Sequence, residues 1–141
     1  MGDEQPMKEI TVDAAIENIE AVTDFIDAEL GRVDCPMKAM MQINIAVDEL
    51  FGNIARYAYE PGKGPATVRV EVIEEPLEVV ITFMDRGKPY NPLENEDPDI
   101  TLSAEERGIG GLGIFMVKKT MDEIEYEYSE GRTILKVKKK L

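Results

Sequence analysis

Glu49 and Asn53 stand four residues apart within 42–58, a stretch whose side chains sort into two helical stripes. At about 100° per residue, Met40, Ile43, Val47, Leu50, Phe51, Ile54 and Ala58 share one apolar arc. Gln42, Ala46, Glu49 and Asn53 fall on an adjoining, non-apolar arc. Side chains four apart are neighbours on a helix surface. A carboxylate beside an amide at the edge of a buried face can position a water or hydroxyl and hold one vertex of a metal ion. Taken alone, the pair is more simply a solvated Glu and Asn on an amphipathic helix.

Two further segments carry chemistry. Asp85-Arg86-Gly87-Lys88-Pro89 follows a strand-like alternation. A carboxylate at a strand end offers an acceptor to a flat ligand, such as the exocyclic amine of adenine, and the glycine lets the backbone come close. The same tripeptide pattern is also a plain turn. Gly108-Ile109-Gly110-Gly111-Leu112-Gly113 runs directly into a helical stretch. Bare backbone N–H groups at a helix start, where partial positive charge gathers, suit a phosphate. The Gly-Lys-Ser/Thr of a P-loop is missing, and a dinucleotide fingerprint needs a strand before it.

Periodicity gives the elements that must position these groups. A short strand over 7–12 comes first. Asp13 is a suitable N-cap, after which Ala14, Ile16, Ile19, Val22, Phe25, Ile26 and Leu30 recur at helical spacing up to Gly31. Pro36 suits the first position of a second helix, which runs to about residue 59, and a turn cluster fills 60–65. Strands over 66–73 and 77–84 alternate apolar and polar, so both read as half-buried. Residues 85–107 are irregular and acid-rich. A compact domain keeps such a long loop as a functional lid or leaves it disordered, and 91–107 is read as the lid. A third helix over 111–121 precedes a hairpin of strands 124–129 and 133–139 about Glu130-Gly131. The order predicts a single α+β domain over 1–141. It is a two-layer α/β sandwich, with three main helices on one face of a mostly antiparallel mixed sheet.

Composition removes several function classes. Sixteen basic against 29 acidic residues give a net charge of −13, which argues against a nucleic-acid backbone or anionic membrane as the main partner. The chain has no histidine, so an imidazole metal site, a Ser-His or Cys-His pair and an own-chain phospho-histidine are excluded. Cys35 is the only cysteine. It allows no intrachain disulfide and reads as a bystander. No apolar run spans a bilayer and the start lacks a signal peptide's basic and apolar parts, so a cytoplasmic location is expected.

In order, Glu49…Asn53, Asp85-x-Gly87 and Gly108-x-Gly110-Gly111-Leu112-Gly113 resemble the N, G1 and G2 boxes of the GHKL ATPases. Without a histidine-bearing dimerisation helix, the chain is most similar to the anti-sigma-factor serine/threonine kinase family (RsbW-like). The likeness covers nearly the whole chain. It includes Val47-Asp48-Glu49-Leu50, the run from Asp85 to Pro92, Gly110-Gly111-Leu112-Gly113-Ile114-Phe115, Met121-Asp122-Glu123-Ile124 and Gly131-Arg132-Thr133-Ile134-Leu135. It departs from the family at Tyr57, where a His is frequent after the Asn.

The resemblance implies the histidine-kinase-like ATPase fold, with ATP and Mg²⁺ as cofactors. Asp85 would bind the adenine amine, and Gly87 would let the ring lie flat. Asn53 would be the only protein ligand of Mg²⁺, and Glu49 the base that orients a substrate hydroxyl. Gly108, Gly110, Gly111, Leu112 and Gly113 would offer N–H groups to the phosphates, with Arg107 near the γ-phosphate. The function implied is regulation of transcription: a sigma factor is sequestered, and a Ser or Thr of a small antagonist protein is phosphorylated. The alternative is a nucleotide-gated interaction module with little or no turnover. Homodimerisation is common in the family, and the Val68, Val70, Val72 face or the edge strands are the surfaces the sequence offers.

Overall fold

In a computed structural model, residues 7–74, 77–94 and 112–141 are described. The elements among them, in chain order, are β1 (Met7–Asp13), α1 (Ile19–Gly31), α2 (Met37–Asn53), β2 (Pro65–Ile73), β3 (Glu78–Asp85), α3 (Leu112–Thr120), β4 (Glu123–Ser129) and β5 (Arg132–Lys140). The strands form one sheet in the order β1-β2-β3-β5-β4. Each pairing among them is antiparallel. This is the expected two-layer sandwich, with no parallel pairing among the described strands.

Alternation along the strands builds the core. Val68, Val70 and Val72 pair in register with Phe83, Ile81 and Val79, and Phe83 and Ile81 pair with Leu135 and Val137. All are buried, together with Val22, Ile26 and Leu30 of α1 and Ile43, Val47, Leu50 and Phe51 of α2. Full burial of such a side chain contributes about 1.5–3 kcal/mol. The Val68, Val70, Val72 face is therefore interior, which removes it as a dimer surface. β3 is buried on its other face too, at Val80, Thr82 and Met84, where a half-buried strand was expected. Long side chains from the flanking strands lie over that face. Lys138, the register partner of Val80, reaches Glu78 at 3.9 Å and Glu123 at 3.5 Å.

Three local features differ from the sequence reading or refine it. Asp13 ends β1 and does not cap α1. A 3-10 turn over Ile16–Asn18 precedes that helix, and Asn18 Nδ2 donates to the Asp13 carbonyl at 2.9 Å. The second helix stops being α-helical at Asn53 and continues as a π-helical turn, Ile54–Ala58. Glu130 (φ 54°) and Gly131 (φ 75°) both adopt left-handed backbone. That is the two-residue turn that matches strand twist in a tight hairpin.

Candidate functional site

The parity that turns Val79, Ile81 and Phe83 toward the helices also turns Asp85, the last residue of β3, toward them. Its register partners are Ala66 on β2 and Thr133 on β5. Asp85 and Thr133 are both buried and form a polar rung at the end of an apolar face. The Gly87 N–H donates to Asp85 Oδ1 at 2.9 Å. Burial raises the Asp85 carboxyl above its ordinary value of 3.8, and the Gly87 hydrogen bond pulls it part of the way back. Thr133 Oγ1 is buried with no hydrogen-bond partner among the described residues. Leaving such a group unpaired costs about 1–3 kcal/mol, which a bound polar ligand would recover.

Above the rung lies an open cleft. Leu50, Ile54, Phe83 and Leu135 wall it, and Tyr57 and Tyr90 flank its mouth with ring centroids 6.5 Å apart. Apolar walls with a few convergent polar groups suit a small flat heterocycle. The loop after β3 is pinned to the end of the second helix. The Lys88 N–H donates to the Ala58 carbonyl at 2.7 Å. Tyr59 Oη accepts from the Arg86 N–H at 2.8 Å and donates to the Pro65 carbonyl at 2.6 Å. A Cβ at Gly87 would collide with the Ala58 backbone. The observed reason for glycine here is thus the approach of two backbones.

Glu49 and Asn53 sit farther up α2. Asn53 Nδ2 donates to Glu49 Oε2 at 3.3 Å, which leaves Asn53 Oδ1 without a hydrogen bond among the described residues. α3 packs against α2. Gly113 in its first turn lies against the Glu49 carboxylate, where a Cβ would overlap Oε1 and Cδ. Ala46, between Gln42 and Glu49 on the non-apolar arc, is buried, so that arc is not a wholly solvated face. Among the described residues no group of three His, Cys, Asp or Glu could hold a metal ion. A divalent ion beside Asn53 would therefore draw most of its ligands from substrate and water.

The structure brings together Asp85 with Gly87, and Glu49 with Asn53 and Gly113. Arg107, Gly108, Gly110 and Gly111 lie outside the described residues, as does most of the 91–107 stretch, and Leu112 opens α3. Thr133 was not singled out from the sequence, although its place in the row with Leu135 and Val137 was readable from alternation alone. Arg56 was also missed. Its guanidinium lies across Gly52 and 6.0 Å from the Tyr57 ring centroid. Burial, with Asp27 adding to it, pushes the Cys35 thiol up, which suits a bystander.

The model of the histidine kinase-like ATPase domain family matches residues 12–139. The chain belongs to this family. Two relatives place it in the RsbW-like branch. It is 26% identical over 134 residues to the serine-protein kinase RsbW of Bacillus mycoides (strain KBAB4), which covers 92% of this chain and 82% of the relative. It is 31% identical over 114 residues to the serine-protein kinase RsbW of Listeria monocytogenes serovar 1/2a, covering 77% of this chain and 71% of that one. The fold matches the crystal structure of the RsbU and RsbW domains of a Mycobacterium tuberculosis protein, with a TM-score of 0.67 and 18% identity. That match covers 96% of this chain and 32% of the other, so the chain spans about a third of that crystallised chain. Within this fold, Asn53 of α2 and Asp85 at the end of β3 line one cleft.

Proposed function

We propose that the chain is an ATP-binding serine/threonine-protein kinase that acts as an anti-sigma-type regulator. It moves the γ-phosphate of ATP to a Ser or Thr of a small antagonist protein. One observation carries this reading: the cleft over the buried Asp85–Thr133 rung is walled by Leu50 and Asn53 of α2, the helix whose Glu49–Asn53 pair lies against the start of α3. The relatives named serine-protein kinase support the same activity.

Each residue then has a task. Asp85 accepts from the adenine amine with the oxygen that Gly87 leaves free, and Thr133 Oγ1 gains the partner it lacks. Leu50, Ile54 and Phe83 keep water from the ring, and Tyr57 and Tyr90 stand at its exit. Asn53 Oδ1 is the protein ligand for Mg²⁺, which would supply charge neutralisation on the phosphates. The backbone N–H groups of Gly108, Gly110, Gly111, Leu112 and Gly113, with Arg107, hold the phosphate oxygens. Glu49 takes the proton of the acceptor hydroxyl as that oxygen bonds to the γ-phosphorus. The bond from this phosphorus to the ADP oxygen breaks, and its electron pair leaves with ADP.

Sequestration of a sigma factor, homodimerisation and a cytoplasmic location belong to the same reading. Among the described residues no helix is long and apolar enough to cross a membrane. The test is transfer of radiolabel from Mg²⁺-ATP to a serine of a purified antagonist protein. Glu49→Gln is expected to stop labelling while ATP affinity is kept. Labelling that persists removes Glu49 from the chemistry. ATP binding without any labelling leaves a nucleotide-gated interaction module instead.

A further inference from the structure

On α2, Met37, Met41 and Ile45 leave 69%, 58% and 49% of their surface exposed. They follow one another at four-residue steps, and the next two steps along the same helix are Glu49 and Asn53. Each step rises about 6 Å and turns about 40°, so the three form a gently winding ridge that ends one turn from the Glu49 carboxylate. α3 runs beside α2 in the opposite sense. Gly113 at its start lies against Glu49. The Thr120 carbonyl at its end accepts from Lys139 Nζ at 2.7 Å, at the end of the sheet remote from Asp85. Met116, close to one turn along α3 from Gly113, is 39% exposed.

Single exposed apolar side chains are ordinary, but a line of them beside a reactive carboxylate marks an interaction surface. Three of these four are methionines, whose unbranched, polarizable chains mould to a partner. Neither the core nor the nucleotide cleft uses them.

We propose that this ridge docks the acceptor protein through an amphipathic helical segment next to its phosphoacceptor Ser or Thr. The proposal rests on the reading of Glu49 as the group that meets the acceptor hydroxyl. Continuity with that carboxylate selects the occupant. Glu49 is bounded by Asn53 and the cleft at one end and by Gly113 at its side. A polypeptide that delivers a hydroxyl to it therefore carries its neighbouring residues over Ile45 and Met41. Apolar side chains recurring every three to four residues are what such a ridge accepts.

Two fluorescent helical peptides test this, each with a serine at both ends. One has leucines and the other glutamines at three-to-four-residue spacing. Anisotropy with the full chain, Mg²⁺ and a non-hydrolysable ATP analogue is expected to show the leucine peptide binding about tenfold tighter or more. The double variant Met41→Gln/Ile45→Gln is expected to lose that preference while its ATP affinity and melting temperature stay unchanged. Equal binding of the two peptides, or an undiminished preference in the double variant, overturns the proposal. So does a double variant that changes sedimentation but not peptide binding, since the ridge would then join copies of this chain. Transfer of phosphate to the bound peptide is read separately. Tight, leucine-dependent binding without transfer counts against the kinase reading and not against the ridge.

Discussion

The carboxylate of Glu49 lies directly against the Cα of Gly113, which joins the C-terminal part of α2 to the first turn of α3. The group in conflict with an added methyl is the far end of a flexible side chain, so the fold can yield there. Gly113→Ala is expected to leave the melting temperature within a few degrees of the parent and to cut phosphate transfer about tenfold or more by displacing the carboxylate. Calorimetry and a transfer assay on the same preparation check both halves.

Asp85→Asn keeps an oxygen for the Gly87 N–H but loses the negative acceptor. Hydrogen bonds to charged groups contribute about 1.5–3 kcal/mol, so ATP affinity should fall roughly ten- to a hundredfold. Titration calorimetry with ATP and Mg²⁺ measures it.

The raised Asp85 carboxyl carries a pH signature with two opposite signs. Folding favours the protonated acid, so this group's stabilising share is present in acid. It is lost as pH rises through the raised value, above 3.8. Without nucleotide, the melting temperature of Asp85→Asn should gain on that of the parent as pH rises through that window. Nucleotide affinity of the parent should move the other way and weaken as pH falls into the same window, because the acceptor becomes an acid. Melting and binding curves across acid to neutral pH decide it, and a parent whose affinity is flat there removes Asp85 as the acceptor.

Thr133→Val replaces a buried, unpartnered hydroxyl with a methyl of similar shape. The variant is expected to unfold at the same or higher denaturant concentration, by up to about 1 kcal/mol. Its ATP affinity should drop about tenfold. Loss of stability without loss of affinity would remove Thr133 from the nucleotide site.

Gly87→Ala meets a backbone carbonyl rather than a side-chain end. Either the loop after β3 or the π-helical turn must shift, at a cost of about 1–3 kcal/mol. Urea unfolding should show that loss, in contrast to the mild effect at Gly113.

Much of this was legible in the residues. Val68, Val70 and Val72 fixed the inner face of β2 by alternation, and Ile43, Val47 and Leu50 fixed the inner stripe of α2 by helical spacing. Burial of Val80, Thr82 and Met84 was not legible, because it depends on where Lys138 of β5 and Glu123 of β4 come to lie. Asp13 looks like a helix cap in isolation, yet β1 pairing with Pro65 holds it in the sheet. At the site, Asp85, Gly87, Glu49, Asn53 and Gly113 were chosen by type and spacing. Thr133 was not, since its importance arises only when β5 lies beside β3 and sets it next to Asp85. The contact between Glu49 and Gly113 likewise needs the packing of α3 on α2, which no local pattern encodes.

Because Asp85 and Thr133 end their rows on adjacent strands, what the cleft recognises is a matter of strand register. A slip of one residue between β3 and β5 would swing one of the two to the far side of the sheet while most backbone bonds re-formed. The left-handed Glu130-Gly131 turn fixes only how β4 lies on β5. The pairing that sets Asp85 beside Thr133 is held instead by the buried rungs behind it, Phe83 with Leu135 and Ile81 with Val137, so the core itself guards the proposed nucleotide contact.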